Sequence, residues 1–454
     1  MTGSGFTHVL KTRVLEAVSP SEVLTERVIL AVGEEGRIVT RAPEGSAAFD
    51  SLVDQVDCTL PDHCLLVPGL ADLHIHAPQW PQAGKALDLP LEEWLGSCTF
   101  PLESRYADAA FAESVWQDLV PSLLRQGTTT ALYFATIHEE ASLGLARVCI
   151  EHGQRALVGL VAMDHPELCP ADYRQASAQE AIDATRRFIL AVRALRGNEA
   201  GLVQPVITPR FIPACTDALL KGLGELARVL DVRVQTHASE SDWEHETVLA
   251  RMGCSDVEAL DRFGLLPSFS VLAHAGFTSR QDRALLRQRK AAIAHCPISN
   301  AFFAGAALPL RNVLDEQVPC GLGTDISGGY SASIFENARQ AVLTSRILES
   351  GTDPDKPSSQ RGRPHSRVSF AEAFWLATRG GAEALGLPCG QFQPGQMLDA
   401  VEMISGRGAL RLHEEDSAST LAQKVVCHAG PETIGRVWVG GRLVVSGNEN
   451  SITP

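Results

Sequence analysis

The stretch that decides the fold is Cys64-Leu65-Leu66-Val67-Pro68-Gly69-Leu70-Ala71-Asp72-Leu73-His74-Ile75-His76, an apolar run that ends in two histidines. Its apolar entry is typical of a strand that is buried on both faces, as in a parallel sheet. In an extended strand, residues i and i+2 point to the same face. His74 and His76 therefore present two imidazoles side by side, which is what a divalent metal site needs.

Eight short apolar segments follow one another between residues 65 and 325. They are Leu65–His76, Thr128–Thr136, Arg155–Asp164, Val203–Phe211, Val232–Glu240, Ser270–Gly276, Ala291–Pro297 and Val318–Asp325. Between most of them lie stretches with apolar residues at helical spacing, such as 218–230. Strands that alternate with helices indicate parallel pairing, and these units in succession predict an α/β fold with a closed (β/α)8 TIM barrel. The alternative is an open doubly wound sheet, but no G-x-G-x-x-G motif follows the first strand.

The two ends of the chain have a different pattern. Residues 27–39 and 437–445 each contain two β-rich runs around a glycine-containing turn, which predicts a β-hairpin. Because an isolated hairpin is marginal in water, we expect the two ends to pair with each other. The sequence thus predicts a composite β-sandwich domain from residues 1–64 and 395–454, beside a hydrolase barrel at 65–394.

The composition disfavours several classes of protein. The 454 residues carry a formal net charge of −15, whereas binding of nucleic acid needs a basic surface. The sequence contains no run of about 18 apolar residues that would mark a membrane span, and no apolar signal core near its beginning. The 11 cysteines stand singly, so a disulfide framework is not expected. We therefore expect a cytoplasmic protein that acts on a small molecule, with no nucleic acid and no membrane as partner.

Further side chains of the metal-ligand type lie where other predicted strands end. His237 lies in the fifth segment, His274 in the sixth, and Asp325 ends the eighth. Because barrel active sites lie at the carboxyl ends of the strands, we expect these residues to meet His74 and His76 there. Imidazole nitrogens with one carboxylate and no thiolate favour zinc, with iron as the alternative. A metal ion with an open position activates water near neutral pH, so the pattern predicts a hydrolase.

The residue types leave several roles around this cluster open. Asp325 could bind the metal and also accept the proton of the activated water, and His274 could contact either the metal or that water. Glu240 lies three residues after His237 and could move protons to the leaving group, or it could be an acid that favours a helix N-terminus. His295 ends a β-rich run and could support the ligands from behind.

Three further residues near strand ends are candidates for substrate binding. Arg210 could donate hydrogen bonds from its guanidinium N–H groups to a carbonyl or a ring nitrogen, and Phe211 could stack on a flat ring. Gln79 follows the histidine pair, and its amide could pair with an amide-like edge of the substrate. Each of the three could equally be a structural residue.

Longer strings carry a family resemblance. They are His74-Ile75-His76-Ala77-Pro78-Gln79, Leu87-Asp88-Leu89-Pro90-Leu91, Glu93-Trp94-Leu95, Thr99-Phe100-Pro101-Leu102-Glu103, Tyr133-Phe134-Ala135-Thr136-Ile137-His138, Thr208-Pro209-Arg210-Phe211 and Gly323-Thr324-Asp325-Ile326-Ser327-Gly328-Gly329-Tyr330-Ser331. The chain resembles the amidohydrolase superfamily and, within it, the guanine deaminases. The resemblance implies an aminohydrolase that converts guanine to xanthine and ammonia with a zinc-activated water. It also implies a homodimer.

The same resemblance implies a role for each matching residue. The ligands of one zinc ion per chain are expected to be His74, His76, His237 and Asp325, with His274 on the activated water. Glu240 is expected to be the proton shuttle. The residues expected to hold the purine are Gln79, Arg210 and Phe211.

Four positions depart from the family pattern. Pro166 follows His165 where an asparagine is usual, and Ala275 follows His274 where a glycine is usual. Pro78 and Ile298 also differ from the common residues. None of them is an expected metal ligand, so metal-dependent hydrolysis is still expected. The departures leave open a related ring, such as pterin, 8-oxoguanine or a triazine, as the substrate. A catalytically silent scaffold is a further alternative, which the complete set of ligands disfavours.

Overall fold

Strands and helices alternate along the chain in the computed structural model, which describes residues 5–447. The strands are β1 (Phe6–Ser19), β2 (Glu22–Gly33), β3 (Ile38–Pro43), β4 (Cys58–Thr59), β5 (Cys64–Pro68), β6 (Leu70–His76), β7 (Thr128–Phe134), β8 (Arg155–Gly159), β9 (Val161–Ala162), β10 (Val203–Pro205), β11 (Thr208–Pro209), β12 (Gln235–Ala238), β13 (Val271–His274), β14 (Ala292–His295), β15 (Cys320–Leu322), β16 (Ala400–Ile404), β17 (Ile434–Val439) and β18 (Arg442–Ser446). The α-helices are α1 (Ala47–Leu52), α2 (Leu91–Trp94), α3 (Phe100–Glu103), α4 (Ala109–Arg125), α5 (Glu139–His152), α6 (Ala178–Arg193), α7 (Asp217–Leu230), α8 (Asp242–Met252), α9 (Asp256–Arg262), α10 (Arg280–Arg289), α11 (Pro297–Ser299), α12 (Leu310–Asp315), α13 (Ile334–Ser350), α14 (Ser358–Arg361), α15 (Phe370–Ala377), α16 (Arg379–Ala384) and α17 (Ala418–His428). The fold is α/β, as the alternation in the sequence predicts.

The central strands pair in parallel. One four-stranded sheet has the order β10-β8-β7-β6, a second has the order β12-β13-β14-β15, and β9 pairs with β11. Every residue of β6 and β7 is buried, which explains their many apolar residues and means that the polar side chains of β6, Asp72, His74 and His76, are buried as well. Parallel strands direct their carboxyl ends to the same side, so the polar residues that end these strands are brought together.

Backbone hydrogen bonds connect the neighbouring sheets. An isolated parallel bridge joins Ile207 to Val234, between β10 and β12. On the other side, the Asp325 amide donates to the His74 carbonyl at 2.8 Å, and the His76 amide donates to the Ile326 carbonyl at 3.0 Å. The segment after β15 therefore lies directly beside the end of β6, and the first and last strands present their ends to a common site.

The two ends of the chain meet in one sheet, as the hairpin patterns predict. Its strand order is β18-β17-β16-β5-β1-β2-β3, with β4 paired to β1. The predicted hairpins are present as β2 with β3 and β17 with β18. The prediction of a two-layered sandwich is not confirmed, because the described strands of both ends belong to this single hydrogen-bonded sheet.

The segment 65–76, which reads as one strand in the sequence, is two strands in different sheets. β5 pairs with β16 in the terminal sheet, whereas β6 pairs with β7. The break lies at Gly69, where a Cβ atom would approach Thr129 Oγ1 to 2.1 Å, so the chain passes closely against β7 there. The predicted strands at 155–164 and 203–211 are likewise interrupted, into β8 with β9 and β10 with β11.

A small apolar cluster lies among the central strands. It includes buried side chains from several of these strands and from the segment between β10 and β11: Leu73, Leu132, Leu157, Val206, Val271 and Ala294. A larger buried cluster packs the helices against the outer side of these strands. Among the described residues, no helix combines the length and apolarity required to cross a bilayer.

Candidate active site

The four predicted metal ligands and His274 lie together at the carboxyl ends of the parallel strands. His74 and His76 come from β6, His237 from β12 and His274 from β13, while Asp325 follows β15. His74 Nε2 lies 3.1 Å and His76 Nε2 lies 3.5 Å from the same oxygen of Asp325, Oδ1. His76 Nε2 and His237 Nε2 are 2.9 Å apart. All five side chains are buried, so their nitrogen and oxygen atoms converge out of contact with bulk water.

Hydrogen bonds behind the cluster fix the orientation of two of its rings. His237 Nδ1 donates to the Arg210 carbonyl at 2.6 Å, and His274 Nδ1 donates to Asn300 Oδ1 at 2.9 Å. In a neutral imidazole, a protonated Nδ1 leaves Nε2 with a free lone pair. Both Nε2 atoms are thus prepared to bind a metal ion or a water molecule.

A buried carboxyl joins β6 to the segment that carries Asp325. Asp72 accepts from the Thr324 amide at 3.0 Å, from Thr324 Oγ1 at 2.5 Å and from the His74 amide at 3.2 Å. Complete burial raises the pKa of Asp72 to about 7, although the hydrogen bonds from Thr324 act in the opposite direction. Asp72 therefore aligns the two segments that bring His74 and Asp325 together.

Burial favours the neutral form of three histidines of the cluster. Burial lowers the pKa of His74, and it lowers the pKa of His76 and His237 well below the ordinary value. Burial opposes ionisation of Asp325, yet the neighbouring histidines hold the pKa of that carboxyl below its ordinary value. Neutral imidazoles beside an ionised carboxylate are the forms in which these side chains bind metals.

The donor set fits a divalent metal ion. Three combinations of ligand atoms lie within 4.8 Å of one another: His74 with His237 and His274, His74 with His76 and Asp325, and Glu240 with His274 and Asp325. Within residues 5–447, the buried Nε2 atoms of His74 and His274 make no contact with hydrogen-bond geometry, although His74 Nε2 lies 3.1 Å from Asp325 Oδ1. A buried polar atom without a hydrogen bond destabilises the folded protein by about 1–3 kcal/mol. A bound metal ion or water molecule would remove this cost at both atoms.

Two residues at the strand ends hold a left-handed backbone conformation. His274 has φ +68° and Ala275 has φ +53°. Such conformations are costly for residues other than glycine and concentrate at functional sites. They explain why a glycine is common after this histidine in the family pattern, and here an alanine adopts the same conformation.

Glu240 lies at the edge of the histidine cluster. Its Oε1 is 3.6 Å from His274 Nε2, and its backbone amide donates to Glu244 Oε2 at 2.7 Å. Burial raises the pKa of Glu240 above its ordinary value. Glu240 directly precedes Ser241, the N-cap of α8, so it lies beside a helix N-terminus as well as beside the histidine cluster.

One cavity joins the cluster to the three predicted substrate-binding residues. It is lined by His76, Gln79, Leu91, Trp94, Leu95, Arg210, Phe211, His237, Glu240, Phe303, Asp325 and Gly328. The sequence therefore predicts most of its polar wall. It does not predict the apolar roof, where the rings of Trp94 and Phe303 lie 5.1 Å apart between centroids. Trp94 and Phe303 lie in short helical segments within the connections between strands, where periodicity gives little signal.

A buried acid that the sequence did not assign a role connects two of the substrate-binding residues. Glu103 Oε2 accepts from Arg210 Nη1 at 2.6 Å, and Glu103 Oε1 accepts from Arg210 Nη2 at 3.3 Å. The same Oε1 accepts from Gln79 Nε2 at 2.9 Å, while Gln79 Oε1 accepts from the Ser327 amide at 3.2 Å. The available signal was indirect: a buried arginine at a strand end requires a carboxylate partner.

The positions that depart from the family pattern are not among the residues that line this cavity. The described lining does not include Pro78, Pro166, Ala275 or Ile298, although Pro78 directly precedes the lining residue Gln79. His165 is half-buried, and its Nδ1 accepts from the amides of Glu167 and Leu168 at 3.3 Å. His295 is buried without being part of the three ligand combinations, and burial lowers its pKa to about 3.

The chain is similar to known proteins over most of its length. The model of the Amidohydrolase family matches residues 65–444. The chain is 38% identical to the probable guanine deaminase of Schizosaccharomyces pombe, over 84% of this chain and 71% of that protein. It is 36% identical to the guanine deaminase of Mus musculus, over 94% of this chain and 93% of that protein.

A solved structure has the same fold over nearly the whole chain. It is the guanine deaminase from C. acetobutylicum with bound guanine in the active site. The TM-score is 0.85 at 26% sequence identity, and the match covers 96% of this chain and 99% of that chain. The terminal sheet and the central strands are therefore both part of the shared architecture.

Proposed function

The chain belongs to the amidohydrolase family, and on that premise we propose that it hydrolyses guanine to xanthine and ammonia. One observation carries the proposal. A single cavity has the histidine–aspartate cluster and Glu240 on one wall, and Gln79, Arg210 and Phe211 on the others. The relatives that align over most of the chain are named as guanine deaminases, which supports guanine as the substrate.

We propose that the central strands close into a (β/α)8 barrel at 65–394, and that the terminal segments 1–64 and 395–454 form a second domain built on the sheet that both ends share. The bridge between Ile207 and Val234 supports closure on one side, and the hydrogen bonds between the ends of β6 and β15 support it on the other. The apolar cluster among the central strands has the composition expected inside such a barrel.

We propose that one zinc ion per chain is held by His74, His76, His237 and Asp325. Imidazole and carboxylate donors without a thiolate favour this metal, and the neutral state of the histidines supports it. When bound, zinc supplies Lewis acidity, so that water becomes a nucleophile near neutral pH. His274, whose Nε2 faces both Glu240 and Asp325, is suited to hydrogen-bond that water.

Glu240 moves the protons of the reaction in this proposal. Its carboxylate accepts a proton from the water as the oxygen attacks the ring carbon that carries the amino group. The protonated carboxyl then delivers this proton to the ring nitrogen next to the attacked carbon. The second proton of the water passes from the added hydroxyl to the amino nitrogen, the C–N bond breaks, ammonia leaves, and the carbonyl of xanthine forms. Burial raises the pKa of Glu240 towards neutral pH, which suits a group that must both accept a proton and donate it again.

The other wall orients the ring. Arg210 and Gln79 present N–H donors to the polar edge of a purine, and Phe211, 6.3 Å from His237 between ring centroids, offers an aromatic surface. Leu91, Trp94 and Phe303 enclose the apolar faces. None of the departing positions lines the cavity directly, which supports guanine over a related ring.

We also propose that the protein is a cytoplasmic homodimer, an expectation that rests on the family resemblance and on composition. Light scattering after size-exclusion chromatography tests it, and a monomer over the working concentration range would contradict it.

The experiment that tests the proposed function is ammonia release from a panel of rings by zinc-loaded protein. The panel contains guanine, 8-oxoguanine, adenine, pterin and cytosine, and guanine is expected to react fastest, with xanthine formed in equal amount. Glu240→Gln at matched zinc content is the negative control. Faster turnover of another ring would reassign the substrate while keeping the hydrolytic chemistry, and no ammonia from any ring would reject the proposal.

A further inference from the structure

We propose that Glu103 is a positioning and specificity residue, which makes the substrate-reading wall select an uncharged ring. The inference rests on the proposed function, because it concerns how guanine is chosen at the same site. Glu103 is fully buried and does not line the cavity itself. It acts through Arg210 and Gln79, which do line the cavity.

The first argument is geometric. Glu103 lies in α3, 107 residues before Arg210, and its carboxylate accepts two N–H groups of the Arg210 guanidinium. A bidentate pair of this kind fixes the plane of the guanidinium as well as its position. The remaining N–H groups of Arg210 are therefore held in set directions. The Arg210 side chain is further confined by Phe100, whose ring centroid lies 4.9 Å from the guanidinium carbon.

The second argument concerns the amide of Gln79. Its Nε2 donates to Glu103 Oε1, and its Oε1 accepts from the Ser327 amide. A carboxylate can only accept and a backbone amide can only donate, so these two partners determine which end of the Gln79 amide is nitrogen. One N–H and one lone pair remain for the substrate, in fixed places. Without Glu103, the amide could rotate and present the reverse pattern.

The third argument concerns charge. Arg210 is the lining residue of the cavity that carries a permanent positive charge, and Glu103 lies against it at salt-bridge distance. Both side chains of the pair are buried, so the negative charge of Glu103 compensates the positive charge of Arg210 in a region that water does not screen. A wall that is neutral in sum gives an anionic ring no electrostatic advantage over an uncharged one. Guanine is uncharged at neutral pH, which matches this wall.

The test compares two rings that have no amino group to lose. Hypoxanthine is uncharged at neutral pH, whereas urate is an anion. Their inhibition constants against guanine turnover are measured for the wild type and for Glu103→Gln, which leaves the charge of Arg210 uncompensated. We expect the ratio of the urate constant to the hypoxanthine constant to fall about tenfold or more, together with a rise in the KM for guanine that exceeds the fall in kcat.

A matched pair elsewhere in the fold supplies the control. Asp399 accepts from Arg155 at 2.8 and 2.9 Å, and the two side chains are as buried as Glu103 and Arg210. Asp399→Asn removes the charge of a buried bidentate partner away from the cavity. It is expected to lower stability as Glu103→Gln does, and to leave the urate-to-hypoxanthine ratio at the wild-type value. An equal ratio in Glu103→Gln and Asp399→Asn would overturn the proposal.

A second variant covers the case in which Glu103→Gln does not fold. Glu103→Asp keeps the negative charge but is too short to reach Arg210 and Gln79 together. It is expected to raise the KM for guanine several-fold while the inhibitor ratio stays unchanged. A wild-type KM in Glu103→Asp would contradict the positioning role. Failure of the wild type to deaminate guanine is a separate result, which rejects the proposed function rather than the role of Glu103.

Discussion

The two walls of the cavity differ in how far the chain satisfies its own polar atoms. At the histidine–aspartate wall, the buried Nε2 atoms of His74 and His274 make no contact with hydrogen-bond geometry among residues 5–447. At the opposite wall, Arg210 and Gln79 are bonded to Glu103 before any substrate binds. The first wall thus leaves nitrogen atoms available for a metal ion and water, whereas the polar side chains of the second wall are already hydrogen-bonded within the chain.

The difference indicates a division of labour. A wall whose donor atoms converge without internal partners supplies the chemistry. A wall whose donors and acceptors are already aligned supplies recognition, because pre-organised groups lose little entropy when the ligand binds. Changes at the first wall should therefore abolish turnover, and changes at the second should weaken substrate use while the metal stays bound.

The largest effect is expected from metal removal. Protein stripped with a chelator should release no ammonia from guanine and should melt at a lower temperature, because bound metal stabilises only the folded state. Added zinc should restore both properties. Metal content, ammonia release and the melting temperature are measured on the same samples. Full activity at negligible metal content would contradict the claim that the histidine–aspartate wall acts through a bound metal ion.

The next largest effect is expected from Glu240→Gln. The variant should keep its metal and lose turnover by about 10²–10⁴-fold, since the amide cannot accept the proton of the attacking water. Metal content and kcat are measured together. Glu246→Gln, at an exposed position of α8, is the matched control and should behave as wild type. Near-normal turnover in Glu240→Gln would remove its role as the proton shuttle.

A smaller effect is expected from Arg210→Lys. Lysine keeps the positive charge beside Glu103 but loses the planar fork, so the KM for guanine should rise by about tenfold at unchanged metal content. Arg283→Lys provides the comparison, because Arg283 also forms a bidentate pair, with Glu316, but lies outside the cavity. An unchanged KM and kcat in Arg210→Lys would refute the proposed contact with substrate.

The smallest effect is expected in the pH profile. Burial raises the pKa of Glu240 above its ordinary value of 4.5. Because only the ionised form accepts a proton, kcat/KM should fall as the pH decreases through the raised pKa, at a higher pH than an exposed glutamate would give. Metal content is checked at each pH, since protonation of the histidines would release the ion. A profile that stays flat down to the range of an ordinary glutamate would contradict this.

The sequence predicts the histidine–aspartate wall because its signals are local. The spacing of His74 and His76 is a strand period, and His237, His274 and Asp325 lie in or just after short apolar runs. Alternation of strands and helices is also local, so the α/β class could be predicted. The paired hairpins at the two ends were readable from their glycine turns.

What the sequence could not predict depends on contacts between distant segments. The split at Gly69 follows from the close approach of Thr129, which no local pattern reveals. Glu103 takes its role from Arg210, 107 residues away, and the roof of Trp94 and Phe303 joins two separate connections between strands. Such contacts become visible only when the fold has brought the segments together.

The most direct test of the division of labour is equilibrium binding of guanine in the Glu240→Gln background, where turnover does not deplete the ligand. The zinc-loaded variant should bind one guanine per chain, and the added change Arg210→Lys should weaken binding by about tenfold while metal content stays the same. Absence of guanine binding in Glu240→Gln, or equal affinity in the double variant, would contradict the account.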